Sequence, residues 1–468
     1  MVNVKEKSFW TSGLMMISCL GMAGCYGLTV HNGAPASGGS PVSPAATSSI
    51  SGKVTPAGTG AGVSVVLGGE SSATVVTDSS GSYSFSSLHS GAYTVTPSKS
   101  GLSFNPSSRD VTTNGSAVGG ANFAAGNPPS SSGPVVISGQ NGRVIHGLKI
   151  TSTSGDCVTI INSSNITIEA SEIGPCKGNG IKIRGGSGIN VVDNYIHPET
   201  QSPGCCDHND GIFAYNAPHN LLIQGNVIAY GESNIEVAGG SSVNVIGNFL
   251  LNPRGPNPRG QQFQCWSNCS TINVQNNYLL SSRDTVKFLH ADATEDSVNF
   301  GYSQSFTVQQ NFITGGRSLT GCGIIADSYA NAGQILKNRL YDTGACGIGL
   351  TNGTHTVSGN SVYNRLPVKG GGNTAIYVAH YGASGTCGPM TITDNVADSL
   401  QIAGSHSGWW YPGGCGAIST ITDVFGVAGD AALSARSAFT PPLIPPEPKT
   451  CVAVSPYSTQ TNVPLCTP

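Results

Sequence analysis

One short phrase recurs through most of this chain and limits its fold more than any other feature. It is an alternating strand, then an Asn, one variable residue and an apolar residue, as in Ile-Asn-Val-Val-Asp-Asn-Tyr-Ile at 189–196. A shortest spacing of 22 residues with irregular additions is typical of a solenoid whose loops are inserted on one side. The Asn of the phrase stands at positions 194, 226, 248, 277, 311, 338, 360 and 395.

A second phrase precedes the first in most units, as in Gly-Ile-Lys-Ile at 180–183 and Gly-Ile-Gly-Leu at 347–350. Its Ile lies 12 to 14 residues before the Asn in five units, so each unit carries two or three short strands at a fixed phase. One such unit cannot bury its apolar face, whereas stacked units bury a continuous column. A turn Asn tolerates a left-handed backbone and can bond its neighbour. We therefore expect the Asn residues to build a ladder and to take no part in chemistry.

These repeats resemble the right-handed parallel β-helix repeats of the pectin-lyase-like superfamily. The resemblance implies an all-β fold class, with a right-handed parallel β-helix solenoid at 135–425 preceded by a small β-sandwich domain. It leaves the activity open, because a fold does not fix a function. A solenoid end exposes strand edges and core, so we expect residues 426–468 to form a cap, with a short helix at 429–439, and a Pro-rich tail.

Residues 1–25 are typical of an export signal, with Lys5 and Lys7 before a short apolar run. The run ends in Met-Ala-Gly-Cys at 22–25, which resembles the lipobox of bacterial lipoproteins. That resemblance implies that Cys25 is acylated and anchors the exported protein to a membrane of the cell envelope. An ordinary cleaved signal is the alternative. Residues 26–47 are rich in Gly, Pro and Ser and are expected to form a flexible tether.

Short strands with Gly and Ser turns predict the small β-sandwich at 48–125, followed by a linker at 126–134. Two segments resemble carboxypeptidase-regulatory-like domains. They are Thr-Asp-Ser-Ser-Gly-Ser-Tyr-Ser-Phe at 77–85 and Gly-Ala-Tyr-Thr-Val at 91–95. The resemblance implies a non-catalytic module. Because the segment has no paired acids and no His cluster, we interpret it as a spacer or a weak glycan-binding module.

Twelve of the 14 Cys residues follow position 25, and an even number favours disulfides in an exported chain. Cys322 and Cys346 stand one unit apart at nearly the same phase and make the best supported pair. The adjacent Cys205 and Cys206 lack the spacing that is typical of a zinc site. The other pairs that we predict are Cys157–Cys176, Cys265–Cys269, Cys387–Cys415 and Cys451–Cys466.

The charge of the chain bears on its partners. A net charge of −3 without a polybasic run gives no indication of nucleic-acid binding. A local groove can still be basic when the whole chain is near neutral, so an acidic polysaccharide remains a candidate partner. We expect a monomer.

Outward residues after the Ile of the second phrase form a row along the β-helix. Polar members concentrate in the first five units, where the long insertions at 197–209, 252–269 and 290–304 also fall. Long loops on a rigid scaffold commonly carry binding and catalysis, so we place the candidate site there. The predicted row is Thr159, Lys182, Phe213, Glu236, Lys287, Ile325, Gly349 and Tyr377, with Asp156, Asn179, Asp210, Ser233 and Asp284 two residues before the Ile.

Three activities fit such a site. A polysaccharide lyase needs a Lys or Arg base beside a uronate carboxylate and often Ca²⁺ on acidic ligands. A polygalacturonase-like hydrolase needs carboxylates flanking the bond, and only Asn-Asp-Gly-Ile at 209–212 resembles a phrase of that family. In the third case the groove binds glycan and catalyses no reaction. The catalytic candidates are Lys287, Arg254, Arg259, Asp210 and Glu236, the substrate-binding candidates are Lys182, Tyr215, His208 and Asp296, and the Ca²⁺ ligands would be Asp210, Glu236 and Asp296.

The sequence thus predicts an exported protein that acts on, or binds, an extracellular acidic polysaccharide. If it is an enzyme, we favour β-elimination over hydrolysis, and a non-catalytic surface protein of the adhesin type is the alternative. Asp and Asn before Gly are common turn residues, so Asp210 and Asn179 also have a structural interpretation. Trp409, Trp410 and Tyr411 would either stack on sugar rings or cap the last coils.

Overall fold

Regular structure in this chain is almost entirely β. A computed structural model describes residues 47–106, 108–126, 130–198, 209–255, 260–281, 294–316, 318–380, 387–411, 413–429, 450–451 and 466–467. Among these residues, no helix combines the length and the hydropathy that a membrane crossing would require.

The first domain is a β-sandwich, as the sequence predicts. Alternate residues of its strands, among them Ile50, Val65, Tyr93 and Phe123, point inward and form one buried core. The short helix Ala57–Gly60 follows the first strand. The first sheet is ordered Ser82–Leu88, Ser48–Thr55, Phe123–Gly126 and Ser103–Asn105, with Ala117–Val118 also paired to Ser48–Thr55. The second sheet is ordered Ala73–Val76, Ser64–Gly69, Gly91–Ser98 and Arg109–Thr113.

The second domain is a parallel β-helix of eleven coils within the described residues, and each coil contributes one strand to each of three sheets. After a first strand in sheet A, the chain runs through sheet B, sheet C and sheet A in every coil. Sheet A contains Ser130–Ser132, Leu148–Ser152, Glu172–Cys176, Tyr195–Ile196, Val227–Ala229, Phe249–Leu251, Tyr278–Ser281, Phe312–Gly315, Arg339–Tyr341, Ser361–Asn364, Val396–Ser399 and Val424–Phe425.

Sheets B and C have one strand in each coil. Sheet B contains Val135–Ser138, Val158–Ile161, Ile181–Arg184, Ile212–Tyr215, Ile235–Ala238, Phe263–Trp266, Val298–Phe300, Cys322–Ala326, Cys346–Leu350, Thr374–Val378 and Trp409–Trp410. Sheet C contains Val144–His146, Ser164–Glu169, Ser187–Val192, His219–Gln224, Ser241–Ile246, Ser270–Gln275, Ser305–Gln309, Ala332–Leu336, Thr354–Ser358, Met390–Thr393 and Ile418–Ile421.

The core is one apolar column inside the coil. Strand partners are in register, so residues such as Ile160, Ile183 and Ala214 stack with no exposed surface. At one level Phe306 and His355 fill the space above and below Gly333, where a Cβ would lie 2.2 Å from the Phe306 ring. Burial lowers the pKa of His355 to about 4. His355 is therefore a neutral part of the core.

The Asn ladder is confirmed. Each ladder Asn after Asn194 accepts, through its Oδ1, hydrogen bonds from the backbone N–H and the Nδ2 of the Asn one coil earlier, as between Asn277 and Asn248. The ladder begins at the N–H of Ser171 and ends on the carboxylate of Asp423. One detail differs, because the residue with positive φ is the one before the Asn, as at Asp193. The sequence identified the right turn but the wrong residue as its left-handed member.

The β-helix begins slightly before its predicted boundary, and its last described strand ends at the predicted one. Its first strand, Ser130–Ser132, already lies within the segment 126–134 that the sequence assigns to a linker. Its last sheet-A strand is Val424–Phe425. The helix expected at 429–439 lies outside the described residues beyond position 429.

Four predicted disulfides are present in the structure. Those at Cys157–Cys176, Cys265–Cys269, Cys322–Cys346 and Cys387–Cys415 all join the partners that the sequence indicated. For the fifth pair, Cys451 and Cys466 are in register on two short antiparallel strands, and their side chains lie outside the description. Cys322 and Cys346 are direct strand partners in sheet B, which is why their matching phase was a sound basis for the pairing.

Candidate functional site

The outward row of sheet B is largely as predicted. Thr159, Lys182, Phe213 and Glu236 are successive register partners on this face. Phe263–Trp266 pairs directly with Val298–Phe300, and the predicted row member Lys287 lies outside the described residues. The row in coils six and seven therefore consists of Gln264 and Asn299.

A second column runs along the turns that lead from sheet A into sheet B. Asp156 Oδ1 accepts from the N–H of Asn179, whose Oδ1 accepts from the N–H of Asp210. Asp210 Oδ1 in turn accepts from the N–H of Ser233, at 2.9 Å. The Ser233 hydroxyl then donates to Gln261 Oε1 at 2.8 Å. The side chains two residues before the sheet-B strands thus link one coil to the next, and Gln261 and Asp296, not Asp284, occupy this position in coils six and seven.

Asp210 is a member of this column and is 1% exposed. Its backbone and its carboxylate both bond neighbouring coils. The structural interpretation of Asp210 and Asn179 as residues that shape turns therefore has direct support. An Asp in this position stabilises the stacking of coils three to five.

Glu236 lies in the outward row, yet it has no exposed surface. Its Oε1 accepts a hydrogen bond of 2.9 Å from the indole Nε1 of Trp266. Trp266 itself is 37% exposed. The carboxylate therefore holds the indole at the surface.

Arg254 does not reach the outward face as a free cation. It is 3% exposed, and its Nε donates to the backbone carbonyl of Tyr230 at 2.8 Å. Its Nη2 donates to the side chain of Asn209. These contacts fix two turns between sheets A and B. An Arg that makes these bonds cannot at the same time abstract a proton as a catalytic base.

Asp296 is 3% exposed and also bonds across coils. Its Oδ1 accepts from the N–H of Cys322 at 2.7 Å, and its Oδ2 accepts from Asn299 Nδ2 at 2.8 Å. Burial, reinforced by the charge of Glu295, raises the pKa of Asp296 to about 8. The raised pKa favours the protonated form of the carboxyl in the folded protein.

This raised pKa predicts a pH dependence of stability. Between the ordinary value of 3.8 and about 8, the folded state holds a proton on Asp296 that the unfolded chain releases. Stability from this group is complete below the lower value and is lost as the pH rises towards the upper one, by at most about 1.4 kcal/mol per pH unit. Asp296→Asn should flatten that decline in denaturant-unfolding series across this range. Parallel declines for the variant and the wild type would contradict the assignment.

Lys182 and Tyr215 lie close together, as expected of binding residues. Lys182 Nζ is 3.7 Å from an Asp156 oxygen and 6.0 Å from the centre of the Tyr215 ring. Tyr215 stacks on Phe213 with ring centres 5.0 Å apart. Arg184, the register partner of Tyr215, is exposed. This part of sheet B presents two cations beside an aromatic pair.

Several predicted residues lie outside the description. They are Lys287, Arg259, His208 and Cys25, and their roles stay predictions. Within the described ranges, no group of three or more His, Cys, Asp or Glu side chains is placed to hold a metal ion. Asp210, Glu236 and Asp296 are each bonded to a different partner rather than gathered as one Ca²⁺ site.

Apart from Tyr215, the sequence missed an aromatic edge where sheet B turns into sheet C. The edge consists of Tyr215, Trp266, Tyr302 and Tyr329, one from each of coils four, six, seven and eight. Tyr302 is 50% exposed and Tyr329 is 37% exposed. Their rings stack with centres 4.6 Å apart. A single Tyr in a turn carries no motif, so only the stacking of coils shows that these rings are neighbours.

Two hollows lie elsewhere on the β-helix. One, of about 490 Å³, lies on sheet C and is lined by uncharged side chains such as Asn244, Asn273 and Thr307. The other, of about 420 Å³, lies at the C-terminal end of sheet B between Tyr377 and Trp410. Neither hollow contains the residues that the sequence proposed for catalysis.

Trp409 and Trp410 take different roles. Trp409 stacks on Phe425 with ring centres 5.9 Å apart and planes within 9°. The Tyr411 hydroxyl bonds the backbone of Cys415. These two residues cap the last coil, whereas Trp410 is 49% exposed. The capping alternative thus holds for Trp409 and Tyr411, and sugar stacking by Trp410 stays a prediction.

Comparison with known proteins agrees with this architecture. The family described as "Right handed beta helix region" matches residues 134–293. The family described as "BOS complex subunit NOMO1-like, second beta sandwich domain" matches residues 48–122. No curated protein matches the chain.

The class of protein is therefore clear. It is a right-handed parallel β-helix protein with an N-terminal β-sandwich. The predicted β-sandwich is confirmed. The description of the matching family does not name the carboxypeptidase-regulatory-like domains that residues 77–95 resemble. A β-helix of this kind fits a protein that acts on or binds polysaccharide.

Proposed function

We propose that this exported protein binds an extracellular acidic polysaccharide along the aromatic edge and does not cleave it. The observation that carries the proposal is the exposure of Trp266, Tyr302 and Tyr329 on successive coils. Exposed aromatic rings in a contiguous array mark binding surfaces rather than ordinary protein surface. The four disulfides support an oxidising, extracytoplasmic location.

The spacing of the edge suits a linear polymer. Strands of neighbouring coils lie about 4.8 Å apart, which is close to the advance of one sugar along an extended chain. Rings on consecutive coils can therefore meet consecutive sugar units. Solenoids in general offer such extended surfaces for binding.

The cations at one end of the edge favour an anionic polymer. Arg184 is exposed next to Tyr215 in the register of sheet B. Lys182 lies two residues before Arg184 on the same strand, with 31% of its side chain exposed. Guanidinium groups pair with carboxylates in a planar, bidentate geometry. A uronate unit above Tyr215 would be within reach of both cations.

Binding without cleavage is supported by the state of the three predicted catalytic groups that the structure describes. Asp210, Glu236 and Arg254 are each no more than 3% exposed. Each also bonds the neighbouring turns or the indole of Trp266. A general base must reach its proton at hydrogen-bond distance, and these three groups are occupied inside the scaffold.

The first test measures retention of the folded protein in gels that contain pectate, alginate, hyaluronan or chondroitin. We expect at least one polymer to retard the wild type. Trp266→Ala and Tyr302→Ala should each weaken binding by about tenfold, or about 1.4 kcal/mol. Arg184→Ala should reduce the salt dependence of binding. Trp410→Ala, which removes an exposed ring elsewhere on sheet B, is the matched control and should bind like the wild type.

Two kinds of result would overturn the proposal, a failure of the expected binding and evidence of cleavage. One is a wild-type protein that no acidic polymer retards, or an edge variant that binds as tightly as the wild type. The other is a rise in ultraviolet absorbance from unsaturated uronate products, with and without added Ca²⁺, which would show a lyase. Reducing ends without that absorbance would show a hydrolase.

A further inference from the structure

We infer that the hollow between Tyr377 and Trp410 is a second binding site, which takes one uncharged sugar unit such as a hexose or an N-acetylhexosamine. The hollow has a volume of about 420 Å³, within the range of small-molecule sites. It lies on coils eight to eleven, apart from the edge at Trp266, and does not depend on the function proposed above.

Two aromatic rings form the walls of the hollow. Tyr377 and Trp410 are register partners on adjacent sheet-B strands. Their ring centres are 6.2 Å apart and their planes meet at 58°. Trp410 presents about half of its surface to solvent. Two rings at an angle form a corner that can contact a pyranose ring on two of its sides.

The Tyr377 ring is held in place by its surroundings. It packs against the buried cluster that contains Cys322 and Cys346. Gly349 lies beneath it, and a Cβ there would come within 2.7 Å of the ring. The absence of a side chain at Gly349 therefore lets the ring lie flat above the disulfide. A fixed wall loses little conformational freedom when a ligand binds.

The floor supplies hydrogen-bonding groups that are already ordered. The Ser407 hydroxyl bonds the Thr374 hydroxyl at 3.3 Å. Gln401 Nε2 donates to the backbone carbonyls of Gly372 and Asn373 at 3.1 and 2.7 Å. This orients the Gln401 amide at the rim of the hollow, where its Oε1 has no partner among the described residues. A sugar hydroxyl can donate to that oxygen and accept from the hydroxyl pair.

The charge of the lining decides the class of sugar. Of the lining residues that the structure describes, none carries a formal charge. The nearby Arg365 and His406 both pair with Asp398 rather than with the hollow. A uronate would lose water here without gaining a cation, which is costly. The hollow therefore suits a neutral sugar, in contrast to the cationic end of the aromatic edge.

The test follows intrinsic tryptophan fluorescence of the full protein while neutral tetrasaccharides of glucose, mannose, galactose and N-acetylglucosamine are added. Tetragalacturonate is the anionic comparison. We expect saturable binding of at least one neutral probe, weakened roughly tenfold or more in Trp410→Ala. Trp410→Phe should restore most of the affinity and serves as the control for folding. Trp266→Ala should leave neutral binding unchanged.

Three results would overturn the inference. They are no binding of any neutral probe, equal affinity in Trp410→Ala and the wild type, and stronger binding of tetragalacturonate than of neutral probes at this hollow. Sedimentation gives a further check, because self-association that Trp410→Ala abolishes would show an interface between copies. Loss of acidic-polymer binding in Trp266→Ala with intact neutral binding would separate the two sites.

Discussion

Asn277→Ala should lower the free energy of unfolding by about 3–5 kcal/mol, one of the two largest effects that we expect of any single substitution. Asn277 lies at the middle of the ladder and is 2% exposed. Its Oδ1 accepts from the backbone N–H and the Nδ2 of Asn248. Its Nδ2 donates to the carbonyl of Val245 and to Asn311 Oδ1. An Ala removes all four bonds, which involve buried groups on the coils before and after Asn277.

The end of the ladder supplies the matched control. Asp423 takes the Asn position in the last coil, where its Oδ1 accepts from the N–H and the Nδ2 of Asn395. Asp423→Asn keeps that acceptor, so we expect a change below about 1 kcal/mol. Asn277→Asp should be as harmful as Asn277→Ala, because a carboxylate cannot donate and would be buried. Equilibrium unfolding in guanidinium chloride measures all three. A loss of less than about 1 kcal/mol for Asn277→Ala would contradict a structural role for the ladder.

The repeat made most of the fold predictable. The Asn phrase has a fixed relation to the turn between sheets C and A, so it located eight coils. The second phrase located the sheet-B strands of coils with a Gly-Ile or a similar start. It failed where the strand is Phe263–Trp266, which lacks that start. The segment 284–289 resembles the second phrase, which is why the sequence predicted Lys287 as a member of the row.

The candidate site was less predictable, because the burial and the hydrogen bonds of its side chains depend on how the turns of neighbouring coils pack. The sequence correctly placed Lys182 and Glu236 on one face, since alternation fixes that. It could not show that Glu236 is fully buried under the indole of Trp266. Nor could it show that Asp210 continues a column of bonds along the turns. Both facts come from contacts between coils of different lengths, which leave no pattern in the sequence.

Asp398→Ala should cost about 3 kcal/mol of unfolding free energy, because it removes the carboxylate that joins three elements near the last coils. Asp398 has no exposed surface. Its Oδ2 accepts from Arg365 Nη1 at 2.9 Å and from His406 Nδ1 at 2.7 Å. About a fifth of the Arg365 side chain and a quarter of the His406 side chain are exposed. Their partial hydration after the substitution keeps the loss below that of a fully buried pair.

The matched control is a pair of the same type at the surface. His146 Nδ1 lies 3.1 Å from Glu169 Oε1, and both side chains are more than a third exposed. Glu169→Ala should therefore change stability by less than about 1 kcal/mol. Denaturant unfolding measures the free energy of unfolding of both variants. Equal losses in Asp398→Ala and Glu169→Ala would contradict the claim that burial makes the Asp398 contacts the stronger ones. Because His406 precedes Ser407, which lines the hollow beside Trp410, Asp398→Ala should also weaken the binding of neutral tetrasaccharides. Retention of acidic polymers at the aromatic edge should be unchanged.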